Sequence, residues 1–166
     1  MANRYLITII IALGLLSIPA TAPAKDLEYV EELFNVRSLI TNQGKVLPDN
    51  IKDVTAGDLR TLERIFELNT STLTTLEAYF RILKIALVTE SESTTETVTI
   101  LNEWLSFIKE QCQYDVEYLD ATLKETTNSV VVEQIKLTKK YSEELIKVAN
   151  KGLEENANML EEGKKR

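Results

Sequence analysis

The sequence predicts an all-α protein: an elongated antiparallel up-down helical bundle, one short helix plus three long ones, behind a cleaved N-terminal signal peptide. Three observations predict it. Apolar residues recur at alternating three- and four-residue spacing over long stretches. Helix-start signatures stand ahead of those stretches. Only five glycines and three prolines occur among 166 residues, and no strand-like alternation bounded by turns competes.

The first 24 residues read MANRYLITIIIALGLLSIPATAPA. Arg4 and the amino terminus give a short positive region, Leu6 to Ile18 is almost wholly apolar, and Ala22-Pro23-Ala24 supplies small residues for a signal peptidase. The apolar run is 13 residues long, against the roughly 20 needed to span about 30 Å of hydrocarbon, and Pro19 ends it early. Cleavage near Ala24 leaves residues 25–166 as a single helical domain, exported to the periplasm or the extracellular space, with no stable membrane insertion after cleavage. Removing the segment takes away Arg4 and no acid, so the formal charge moves from −7 to −8. An acidic chain has no electrostatic reason to bind nucleic acid.

Four helices are expected in the remainder, at about 26–42, 56–90, 94–126 and 130–160. The first places Val30, Leu33, Phe34, Arg37 and Ile40 on one side and stops near Gly44, before a linker, KVLPDNIKDV, that contains Pro48. Thr55-Ala-Gly-Asp58 resembles a capping box and opens the second; Ser93-Thr-Thr-Glu96 does the same for the third, and Asn128 or Ser129 caps the fourth. A polar tail, EEGKKR, follows it. The threonine-rich stretch Asn69 to Thr75 has poor helix propensity, yet the heptad spacing passes through it without a phase change. Leu59, Phe66, Leu73, Phe80 and Leu87 occupy one seam position and Leu62, Leu76 and Leu83 the other, with Asn69 as the exception.

The one cysteine excludes an internal disulfide and leaves three roles: nucleophile, intermolecular disulfide, or small apolar core residue. Val98, Leu101, Leu105, Ile108, Cys112, Val116, Leu119 and Leu123 fall within one narrow arc of the third helix. In an antiparallel hairpin, facing residues have numbers that add to a constant. Phe80 with Leu105, Leu73 with Cys112, Phe66 with Leu119 and Leu62 with Leu123 obey one such constant. Cys112 is therefore expected to pack against Leu73 as a hydrophobe. Asn69 is expected beside Asp115, as an amide–carboxylate contact that sets register.

A second stripe is apolar beyond what this seam explains. On the third helix Ile100, Trp104, Phe107, Tyr114 and Tyr118 form a shoulder; on the second, Tyr79, Ile82 and Ala86 lie outside the seam. Ala86 with Ile100, Ile82 with Trp104 and Tyr79 with Phe107 again share one constant. A short first helix beside Tyr114 and Tyr118 would leave Tyr79, Ile82, Ala86, Ile100, Trp104 and Phe107 uncovered near the hairpin turn, as a surface for another protein or for self-association.

Catalytic chemistry is not expected. The absence of histidine removes the usual general base and the commonest metal ligand. The five glycines form no phosphate loop, and acid pairs such as Glu154-Glu155 sit on a strongly charged helix end. No cofactor or metal is expected. The expected function is non-catalytic binding, as an envelope adaptor, inhibitor or chaperone-like protein. Trp104 and Phe107 would anchor a helix in a groove lined by Tyr79 and Ile82; the alternative is a carrier of a small apolar ligand between the helices.

Overall fold

The computed structural model describes residues 27–46, 55–88 and 94–164. The expected signal segment, the Pro48 linker, the turn joining the second and third helices, Ser93 of the third helix's capping box, and the side chains of Ala86 and Leu87 lie outside the described residues. Four helices account for almost all of them, with no strand among them: α1 Glu28–Val46, α2 Ala56–Val88, α3 Thr94–Glu125 and α4 Ser129–Lys164. At about 1.5 Å per residue, the 19 residues of α1 span little more than half the length of the 33 in α2.

The expected caps are present at two helix starts. Thr55 N donates to Asp58 Oδ2 at 2.9 Å and Asp58 N returns a bond to Thr55 Oγ1 at 3.2 Å, the reciprocal pattern of a capping box. Asn128 Oδ1 accepts from Val130 N and Val131 N, satisfying two free amides at the start of α4. α1 runs through Gly44 instead of stopping there, and α4 continues over Glu161 to Lys164, into the expected tail. α2 is unbroken across Asn69 to Thr75. The hydroxyls of Thr70, Thr74 and Thr75 each bond the carbonyl four residues back (Phe66, Thr70 and Ser71), so they compete little with the helix ladder.

The buried face of α2 differs from the expected seam. Leu62, Ile65, Leu68, Asn69, Thr72, Leu76, Tyr79 and Leu83 are buried, whereas Leu59 and Phe66 are exposed and Leu73 and Phe80 only partly buried. Both sets have heptad spacing and share Leu62, Asn69, Leu76 and Leu83; the structure uses Ile65, Thr72 and Tyr79 as the second row. The reason is polar. Gln43 Nε2 donates to Thr138 Oγ1 at 2.9 Å and to Gln134 Oε1 at 3.0 Å, while Gln43 Oε1 accepts from Asn69 Nδ2 at 3.3 Å. Thr72 bonds Asp115. These groups form a buried layer between two apolar clusters. One contains Tyr29, Leu33, Leu76, Tyr79, Leu105, Cys112 and Leu145, and the other Leu62, Ile65, Leu119, Val131 and Ile135. Asn69 therefore meets Gln43 of α1 and not Asp115 as expected; one Asp115 oxygen, Oδ2, has no hydrogen-bond partner among the described residues.

The position of α1 is a second departure. Tyr29 lies fully buried beside Tyr79, their hydroxyls 3.0 Å apart, and donates to Asn156 Oδ1 at 3.4 Å; Asn156 Nδ2 in turn donates to Asn102 Oδ1 at 2.8 Å. Phe34 stacks on Phe80 with ring centroids 4.0 Å apart. Lys151 pairs with Glu28 and Glu32. The first helix thus covers Tyr79 and leaves Tyr114 and Tyr118 open, the reverse of the expectation. At that level of the bundle its tyrosine hydroxyl has the buried partners Tyr79 and Asn156, and an unmatched buried hydroxyl is costly.

Candidate functional site

α3 carries two rows of side chains at alternating three- and four-residue spacing. The inner row, Val98, Leu101, Leu105, Ile108, Cys112, Asp115 and Leu119, is buried. The second, Ile100, Trp104, Phe107, Gln111, Tyr114 and Tyr118, is rotated by about 100° from it, because each member precedes an inner residue by one. This second row faces outward beside α2. Ile100 is 45%, Phe107 54%, Tyr114 72% and Tyr118 40% exposed. Trp104 is partly buried against the core and meets Phe107 edge to face, with centroids 6.2 Å apart.

α2 forms the other side of the surface. Ile82 is partly buried against the core, and Ile85 is 63% exposed. Midway along, Gln111 Nε2 donates to Ser71 Oγ at 2.9 Å and Thr75 Oγ1 donates to Gln111 Oε1 at 3.0 Å, so a polar bridge ties α3 to α2 across the stripe. Further along, the Arg64 guanidinium lies 5.7 Å from the centroid of the Tyr118 ring, a distance at which the ring's negative face attracts a cation. On the outer edge of the row stand Glu103, Glu110 and Glu117, all exposed and none in an ion pair among the described residues.

Of the six residues expected to form the surface, Trp104 and Phe107 touch, Ile82 packs like Trp104 against the larger core cluster, and Ile100 stands half exposed on the same row of α3. Tyr79 is a correction: it is fully buried, and burial drives its hydroxyl pKa well above the ordinary tyrosine value. The side chain of Ala86 lies outside the described residues. Ile85, Tyr114 and Tyr118 join the surface although the expectation left them out of it. The spacing of Tyr114 and Tyr118 from Phe107 and Trp104 was the signal for two of them, overridden by the expected place of α1.

The exposed area can be gauged. At about 200 Å² of full side-chain area each, the exposures of Ile100, Phe107, Tyr114 and Tyr118 amount to roughly 400 Å², and Ile85 takes the total beyond about 500 Å². That is the size of the largest, often functional, patch on a monomer. Phe107 also borders a groove of about 480 Å³ lined by Thr99, Asn102, Glu103, Ser106 and Glu110.

The titratable groups of the interior lie away from this surface. Cys112 is 1% exposed, shares the larger apolar cluster with Leu73 and Leu76, and has its thiol pushed up to about 12 by burial and by nearby Asp115. Burial also raises the Asp115 carboxyl to about 6, against the opposing pull of Arg64 and the Thr72 hydrogen bond. Among the described residues no group of three or more carboxylate or thiol side chains converges on a point where a metal ion could sit. No known protein family matches this chain, and no curated protein or solved structure does either.

Proposed function

We propose that this chain is an exported, non-catalytic binding protein: an antiparallel up-down bundle, released from a signal peptide near Ala24, that captures a helix of another protein along the α2–α3 surface. The up-down arrangement is supported by the contact pairs. Tyr29 with Tyr79 and Gln43 with Asn69 join α1 to α2, Gln111 with Thr75 and Tyr118 with Arg64 join α2 to α3, and Asn102 with Asn156 and Asp120 with Lys139 join α3 to α4. In each helix pair the residue numbers rise on one side as they fall on the other. The observation that carries the function is the outer row of α3, which keeps Ile100, Phe107, Tyr114 and Tyr118 at coiled-coil spacing in solvent. An apolar seam of that spacing is what a second helix docks against.

The test is a double variant, Ile100→Glu with Phe107→Glu. Both side chains are about half exposed, so the bundle should fold and melt as the wild type does. Cross-linking capture from the native envelope should then lose the proteins that the wild type retains. A folded double variant that captures the same set at the same yield would remove the docking reading.

A further inference from the structure

We infer that the occupant of this surface is an amphipathic helix of another protein whose apolar seam is flanked by lysine or arginine at seven-residue spacing. The inference rests on the docking reading above and adds the chemistry of the partner. Glu103, Glu110 and Glu117 each precede a residue of the outer row (Trp104, Gln111 and Tyr118) by one position. They therefore line one edge of the seam, over about 21 Å of helix. In a pair of packed helices, residues at that place face the flanking positions of the partner, where charge sets partner choice.

Some exposed acids of the bundle have cations (Glu67 with Arg64, Glu77 with Arg37, Glu144 with Lys147) and others, Glu31, Glu63, Glu133 and Glu154 among them, have none among the described residues. What sets Glu103, Glu110 and Glu117 apart is their seven-residue spacing along one apolar seam. The three on this edge have none among the described residues, and all three are exposed. The opposite edge, on α2, carries Arg64 beside Tyr118 at one end and then the uncharged Ser71, Ala78 and Ile85, so it offers no row of acids to match the one on α3. A second copy of this chain is a poor occupant. Two outer rows packed antiparallel would bring the glutamates of one against those of the other, and the chain as a whole carries −7.

The probe is a set of three helical peptides that lack tryptophan and share one leucine and isoleucine seam. Their flanking positions are all lysine, all glutamine or all glutamate. Binding to the full chain is read from Trp104 fluorescence and peptide anisotropy, and sedimentation of the chain alone reads self-association. The lysine peptide should bind five- to tenfold tighter than the glutamine peptide, as expected of three exposed charge pairs; the glutamate peptide should bind more weakly than either, and the spread should shrink in high salt. The triple variant Glu103→Gln, Glu110→Gln, Glu117→Gln should erase the preference. Neutralising Glu31, Glu133 and Glu154, exposed acids on α1 and α4, should leave it.

Equal binding of the lysine and glutamine peptides, or equal effects of the two triple variants, would overturn the charge selection while leaving the docking surface standing. Binding of the lysine peptide that survives Ile100→Glu with Phe107→Glu would overturn both, as would failure of all three peptides to bind. A dimer of the chain that dissociates on Phe107→Glu would replace the partner helix with a second copy.

Discussion

Substituting alanine at Gly152 tests how α1 is seated. A Cβ built there would lie 2.8 Å from Tyr29 Cδ2, 2.9 Å from Leu105 Cδ1 and 3.0 Å from Tyr29 Cε2, where carbon atoms ordinarily rest about 3.5–4.0 Å apart. Gly152 stands in the interior of α4, so on propensity alone alanine would stabilise by about 1 kcal/mol. The overlap opposes this. Tyr29 cannot withdraw without losing its bonds to Tyr79 and Asn156, and overpacking of a fixed core site costs about 1–3 kcal/mol. The expected net result is a loss of up to about 2 kcal/mol. Gly44 provides the control, because a Cβ there would meet nothing within 4 Å; Gly44→Ala should gain up to about 1 kcal/mol. Urea unfolding followed by circular dichroism measures both. In a Tyr29→Val background, which removes the ring atoms, most of the Gly152→Ala penalty should vanish, leaving a coupling of about 1 kcal/mol in the double-mutant cycle. A stabilising Gly152→Ala, or the same penalty with and without the Tyr29 ring, would refute this seating of α1.

Three further outcomes are expected. Asp115 titrates near 6 in the fold and near 3.9 unfolded; the folded state therefore holds the proton more tightly, and stability should fall as pH rises from about 4 to 6 and level off above. Asp115→Asn should be more stable than wild type at pH 7.5 by up to about 3 kcal/mol and no better at pH 4; an advantage greatest at pH 4 would reverse the sign of the argument. Gln43→Leu should lose about 1–3 kcal/mol by stripping Asn69 and Thr138 of buried partners, and an unchanged urea midpoint would show that the polar layer is not as bonded as described. Native Cys112, buried and with its thiol at about 12, should react with a thiol reagent orders of magnitude more slowly than unfolded chain; prompt labelling without denaturant would place it at the surface.

Much of the fold was legible in the residues. Helix number and approximate limits followed from periodicity and caps, and Thr55, Asp58 and Asn128 act as their positions suggested. The buried state of Cys112 followed from its place in the inner row of α3. The face of α2 did not follow, because two rows with the same heptad spacing compete there. Counting apolar side chains favours Phe66 and Leu73 over Ile65 and Thr72. The structure chose the row with fewer large apolar groups because Thr72 and Tyr79 on that side meet Asp115 and Tyr29. A periodicity argument ranks hydrophobicity and has no term for a hydrogen-bond partner on a distant helix.

The candidate surface divides the same way. Ile82, Ile100, Trp104 and Phe107 could be named from spacing, because an apolar surplus on one helix is a local property of the chain. Which part of the surplus stays in solvent depends on how far a short helix slides along its neighbours. That sliding was settled by contacts between residues 50 to 127 positions apart, Tyr29 with Tyr79 and with Asn156. The sequence by itself determined that this chain forms long amphipathic helices with more apolar face than one core consumes. Only the tertiary structure decided which aromatic residues were left over, because burying a tyrosine hydroxyl demands a partner that lies far away along the chain.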